Sequence, residues 1–465
     1  MSRFLILATF VSLYGASEPS ILETINPTEL NEACLEIEQD PHFRMVRNVL
    51  TQNPNYLVAQ NWDAVNSMNF LFSHEISASF KITDQEKSGR CWIFGALNML
   101  RNELCKKIPV RSFEFSQSYL FFHDKAERAN LFLEEIIKTW KKPLDSVKVR
   151  HLLNCPIHDG GDWNNFVSLV NKYGLVPKSI YPDNDACYFS RPFNEILSTR
   201  LTKDAYLLRK LLESGATIEA AREEKQKMLK EIYQILVVHM GSPPSTFDYC
   251  YFDKEDNLYQ FKNITPLDFA DECLDRPLND YVALIHSPRE ETPYYKNFRI
   301  ISSHFMVGGK DLSALNLPIE ELKEITKELI LSDHAALFAA DILNQADRSS
   351  GLLDANLYEF NHLYRTDFSM DKTTRLQYRF SAPNHCMVFT GVHLEEEVPI
   401  RWKVENSWGA DCGKNGFFVM NDNWFDEYVF EIIVPKDHLP EDLQELLSDP
   451  PMLLKPWDPL WDPTY

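Results

Sequence analysis

The apolar positions of this chain fall into two regimes. Residues 20–50 show helical spacing, with Pro41 breaking the pattern after an acidic stretch. Over residues 88–105 a polar lead-in meets Ile93, Phe94, Leu97, Leu100 and Leu104, spaced near 3.6, which predicts a helix with Cys91 in its first turn. Residues 116–129 read as an aromatic-rich helix and 164–173 as a third, stopped by Gly174 and Pro177. The span 193–240 is almost wholly helix-forming, interrupted at Ser214-Gly215 and closed by Pro243-Pro244. Residues 317–331 add an amphipathic helix. From His385 the pattern changes. Residues 387–392, 400–404, 416–420 and 428–434 are apolar or β-branched runs bounded by turn residues, and read as strands. Helices first and strands late, with a helical insert between them, predict an α+β class.

Composition narrows what such a chain can do. With 44% apolar residues among 465, a large core is available, and a wholly disordered chain is excluded. Glycine, at 15 residues, is too scarce for a collagen-like or linker-rich protein. No apolar run approaches the roughly 18 residues that span a bilayer. The net charge of −21 argues against non-specific nucleic-acid binding, which requires clustered Lys and Arg. The span 196–230 carries a local excess of three positive charges, read as a solvated helix face. Nine scattered cysteines without a C-x-x-C pair fit neither a disulfide scaffold nor a zinc site, and point to reduced thiols in the cytoplasm. Against this, Arg3, the apolar stretch 4–14 and the small residues Gly15, Ala16 and Ser17 have the make-up of a signal peptide, so a secretory route is the alternative.

Chemistry concentrates at one cysteine. Cys91 lies at a predicted helix start, where the positive end of the helix dipole favours thiolate over thiol. Six residues earlier, Gln85 offers a side-chain N–H to an oxyanion, as does the Cys91 backbone. A thiolate nucleophile needs a base, and His385 enters a predicted strand. On the next strand Asn406, in Asn406-Ser407-Trp408-Gly409, can accept from one imidazole nitrogen and leave the other facing the thiol. Trp408 would shield that hydrogen bond from water. No H-E-x-x-H, P-loop or dinucleotide fingerprint is present, and no metal or organic cofactor is implied.

These three motifs resemble those of papain-fold cysteine peptidases, and the fuller pattern is similar to the bleomycin hydrolase branch, cytosolic aminopeptidases also found in bacteria and fungi. The matching residues include Ser88-Gly89-Arg90-Cys91-Trp92-Ile93-Phe94, Phe115-Ser116-Gln117-Ser118-Tyr119, Asp159-Gly160-Gly161, Met306-Val307-Gly308-Gly309 and Trp457-Asp458-Pro459. Cys91 and His385 are 294 residues apart, whereas papain-type enzymes place them roughly 130–150 apart. The excess coincides with the helical middle. The resemblance implies a two-lobed papain-like fold with a large helical insertion. Its divisions are an N-terminal extension (1–24), a helical lobe carrying the nucleophile (25–190), an insertion for oligomerisation (191–340), a β-rich lobe carrying His and Asn (341–440) and a tail reaching the cleft (441–465). It further implies a homohexamer, catalysis by Cys91, His385 and Asn406 with Gln85 at the oxyanion, and support from Trp92 and Trp408. Gly160 and Gly161 would line the substrate cleft, and the carboxylate of Tyr465 would hold the free amino group of a peptide substrate. Bleomycin-type amides would be hydrolysed too. The ending Leu460-Trp461-Asp462-Pro463-Thr464-Tyr465 is bulkier than the family's usual small residues. Two rival readings are a cathepsin-like endopeptidase and a non-catalytic ring acting as a binding scaffold.

Overall fold

The computed structural model describes residues 23–461, apart from positions 79, 108, 109 and 111. The signal-like stretch 1–17 and Tyr465 lie outside the described residues. The periodic segment after Ser88 forms the helix Cys91–Lys107. Trp92, Ile93, Phe94, Leu97 and Leu100 are all buried, so the Cys91 helix runs through the interior and not along a surface. Beside it lies Gln117–Lys138, whose N-cap Ser116 accepts from the Tyr119 N–H. Trp163–Tyr173 is capped by Asp162, which accepts from the Asn165 N–H. That helix ends at Gly174, with φ of 74°, where a Cβ would lie 2.1 Å from the Pro266 carbonyl oxygen. The long helical middle is two helices, Ser190–Glu213 and Ile218–Met240, separated at Ser214-Gly215 as the breaker residues predict.

The four late segments form the strands His385–Glu395, Val398–Glu405, Phe417–Asn421 and Val429–Pro435. Strands also enter earlier than the pattern predicts. Tyr281–Ile285, Lys296–Ile300, Ser313–Asn316 and Ala336–Ala340 join the same sheet, and Phe247–Phe252 pairs with Leu258–Ile264 in a separate hairpin. Residues 191–340 therefore hold both long helices and strands. The histidine strand sits mid-sheet, antiparallel to Ala336–Ala340 on one side and to Val398–Glu405 on the other. Val429–Pro435 pairs with the far edge of Ala336–Ala340. The mixture of helices and a mixed sheet is the α+β class.

The chain divides into two compact units. One comprises Met1–Gln60 with Phe360–Asp367, and within it the His42 ring nitrogen Nε2 lies 3.1 Å from the Leu363 carbonyl while Arg365 pairs with Asp40 at 3.0 Å. The other, Asn61–Glu359 with Phe368–Tyr465, holds the helices and sheet just described and every candidate site residue that the structure describes. Among the described residues no helix is long and apolar enough to cross a membrane.

Candidate active site

Cys91 is the first residue of its helix, where the leading N–H groups have no acceptor within the helix and the dipole is positive. Its position is fixed from both sides. Arg90, fully buried, donates to Asp183 at 2.6 Å and to the Ser88 hydroxyl at 2.9 Å, and its guanidinium lies over the rings of Phe94 and Phe121. Trp92 donates through Nε1 to the Asp159 carbonyl at 2.7 Å. A Cβ on Gly161 would fall 2.5 Å from the Trp92 ring, so the glycine lets that backbone lie flat against the indole. Gly160 has an open face, the nearest atom to such a Cβ being 3.9 Å away, and its carbonyl accepts from Arg128 at 2.6 Å. Trp92 thereby braces the Gly160-Gly161 segment, and both glycines line the cleft with Cys91 and His385.

The histidine's tautomer follows from its neighbours. The Asn406 Oδ1 lies 2.8 Å from the Ser407 backbone N–H and 2.8 Å from His385 Nε2. A backbone N–H can only donate, so the shared atom is the amide oxygen and Nε2 carries a proton. Nδ1 is left for the thiol. Trp408 stacks on the imidazole with ring centres 4.5 Å apart, covering the Asn406–His385 bond on one face. The loop carrying Gln85 is stitched to the same segment. Its N–H donates to the Ser407 carbonyl at 2.8 Å, and its side-chain oxygen accepts from the Ser407 hydroxyl at 2.7 Å. Gln85 Nε2 donates to the Ser88 carbonyl at 2.7 Å, which occupies one of its two hydrogens.

The Cys91 thiol is held well below the ordinary thiol range. The principal cause is a hydrogen bond from the Cys386 side chain, followed by the hydrogen bond and charge of His385; burial opposes both. Cys386 moves the opposite way, pushed well up by its bond to Cys91 and by burial. Two carboxyls share the cleft. Burial raises Asp162 to about 6, and burial together with the charge of Asp162 raises Glu431 to about 8. Behind Gly160, burial would push Asp159 up, yet the charge of Lys125 and hydrogen bonds from Lys125, Ser190 and Asn194 prevail and keep it ionised.

The last described residues also arrive here. Leu460 and Trp461 line the cleft, and Trp461 lies against Phe305 with ring centres 5.7 Å apart. Asp458 secures them: it takes two bonds from the Arg289 guanidinium, at 2.8 and 3.2 Å, and accepts the Leu460 N–H at 3.0 Å. Leu460 and Trp461, the first two residues of the bulky ending, are therefore seated in the cleft. Sequence reasoning singled out Cys91, His385, Asn406, Gln85, Trp92, Trp408, Gly160 and Gly161, and all of these fall in this one region. It passed over Cys386, Asp162, Glu431 and Arg289. Cys386 adjoins His385 and Asp162 adjoins Gly161, which is a local signal; Glu431 and Arg289 carry none.

Comparison with known proteins converges on the same chemistry. The Peptidase C1-like family model matches residues 24–461. Aminopeptidase C of Streptococcus thermophilus is 38% identical over 426 residues, covering 91% of this chain and 96% of the relative. Bleomycin hydrolase of Mus musculus is 35% identical over 446 residues, covering 94% and 98%. The crystal structure of PepW from Lactobacillus rhamnosis superposes with a TM-score of 0.90 at 37% identity, covering 94% of this chain and 98% of that one. With matches of this extent, a papain-like fold and a thiol at the head of a buried helix, the chain is a cysteine peptidase and belongs to the Peptidase C1-like family.

Proposed function

We propose that the protein is an aminopeptidase that removes N-terminal residues from short peptides with Cys91, His385 and Asn406 as its catalytic residues. The Cys91 thiolate attacks the first peptide carbonyl carbon, and the carbonyl oxygen takes the negative charge. The free hydrogen of Gln85 Nε2 and the Cys91 backbone N–H stabilise that oxyanion. Imidazolium His385 then gives its Nδ1 proton to the leaving amine, the C–N bond breaks and a thioester remains. Water, deprotonated by the now neutral His385, attacks the thioester and releases the carboxylate product and Cys91. Asn406 keeps the ring in the productive tautomer throughout. Amides of the bleomycin type fit the same chemistry, and the free cysteines among the described residues suit a cytoplasmic enzyme. Exposed Tyr206, Tyr233 and Val238 on the long helical pair offer apolar surface for a hexameric assembly.

One observation carries the choice of aminopeptidase over endopeptidase: the last described residues, Leu460 and Trp461, stand in the cleft with the nucleophile. A tail there obstructs subsites that an endopeptidase needs. The test compares hydrolysis of a short peptide with that of its N-acetylated form. Loss of cleavage on acetylation is expected; equal rates would establish an endopeptidase instead.

A further inference from the structure

The residue after His385 is itself a thiol, and it lines the cleft together with Cys91. Cys91 and Gly95 are one helical turn apart and share a helix face. A Cβ on Gly95 would lie 3.6 Å from the Cβ of Cys386 and 2.7 Å from Leu337 Cδ1, so the absence of a side chain at 95 lets the histidine strand press against the nucleophile helix at that level. Cys386 pairs in register with Ala339, which pairs in turn with Glu431, and Cys386, Ala339 and Glu431 all line the cleft. Both sulfurs are partly exposed and neither is in a disulfide. The two side chains interact within the cleft, each shifting the acidity of the other.

We infer that Cys386 is a resolving thiol, which captures Cys91 in a reversible disulfide after oxidation by a hydroperoxide. In the first step the Cys91 thiolate attacks the terminal peroxide oxygen. The S–O bond forms as the O–O bond breaks, sulfur gives up two electrons, and the alkoxide or hydroxide leaving group takes a proton to become alcohol or water. In the second, the Cys386 sulfur attacks the sulfenic Cys91 sulfur. The S–S bond forms, the S–O bond breaks, and the departing hydroxide leaves as water with the Cys386 proton. The net change is two thiols and one hydroperoxide to one disulfide, one alcohol and one water. Two cysteines that line one cleft, on a helix and a strand pressed together at Gly95, are placed for side-chain rotation to bring their sulfurs to the bonded length of about 2.05 Å. The pairing spares Cys91 from irreversible over-oxidation, and a dithiol restores the thiolate.

The inference rests on Cys91 being the reactive thiol of the proposed mechanism, and its test separates the two. Full-length protein is treated with hydrogen peroxide, trypsinised without reductant and analysed by mass spectrometry, while hydrolysis is followed before and after dithiothreitol. A cross-linked pair of peptides containing Cys91 and Cys386, lighter by two hydrogens and abolished by dithiothreitol, is expected. Most of the lost activity should return with it. In Cys386→Ala, each activity being referred to its own untreated sample, the loss should persist after dithiothreitol. Peroxide-inactivated wild type without the cross-link, or equal recovery in Cys386→Ala, overturns the inference; the peptide map decides even where the variant folds poorly. Iodoacetamide serves as the separate control: hydrolysis that survives alkylation of Cys91 removes the catalytic reading itself.

Discussion

Replacing Arg289 with Met tests the proposal that residues 458–461 select the substrate. The Arg289 and Asp458 side chains are only 5% and 10% exposed, and the contact is a two-bond fork. Breaking a buried pair by removing one partner leaves an uncompensated charge and costs about 3–5 kcal/mol. Asp458 retains only the Leu460 N–H, so that cost falls on the seated state of residues 458–461. At 1.4 kcal/mol per tenfold, the seated population drops by roughly 10²- to 4 × 10³-fold relative to the released one. Arg289→Lys keeps the charge but loses the fork, and should fall between wild type and Arg289→Met. The assay measures kcat/KM for free and N-acetylated forms of one peptide, alongside limited proteolysis of the C-terminal segment. Arg289→Met should expose the segment to protease and raise the acetylated-to-free ratio at least tenfold. A segment that becomes protease-sensitive while the ratio stays at its wild-type value would refute the argument that the seated tail selects for a free amino terminus.

Two other perturbations follow from the cleft. Glu431 has a folded-state pKa near 8 against an ordinary 4.5, so between those values the folded state binds the extra proton and stability falls as pH rises, by up to ~1.4 kcal/mol per pH unit. Glu431→Gln should therefore raise Tm more at pH 8 than at pH 5, and an equal gain at both would contradict the assignment. Gly161→Ala drives a methyl into the Trp92 ring and should cost about 1–3 kcal/mol in urea unfolding, whereas Gly160→Ala, with space around it, should keep its stability and raise KM by adding bulk to the cleft.

Much of the site was legible because its parts carry local signals. Cys91 announces a helix start, His385 a strand start, and Asn406-Ser407-Trp408 a neighbouring strand end, and their order along the chain narrows the chemistry to one class. The helices from Gln117, Trp163 and Ser190 were legible for the same reason, a strong 3.6 period with cap or breaker residues. What was not legible depends on register. Ala336-Leu337-Phe338-Ala339-Ala340 has helix-forming composition, yet it lies fully buried between two antiparallel partners, where tertiary pairing outweighs propensity. The row Cys386, Ala339, Glu431 exists only through that pairing, as do Arg289 and Asp458, 169 residues apart, through the packing of the tail. A single sequence contains no record of which residues meet across strands.

The placement of His385 on a mid-sheet strand, 294 residues beyond Cys91, bears on biogenesis. In an unstructured chain Cys91 is an ordinary thiol, protonated at neutral pH, because its acidity comes from contacts with residues 385 and 386. A ribosome has therefore made more than four-fifths of the polypeptide before any reactive sulfur can arise, and the emerging chain passes through most of its synthesis chemically inert.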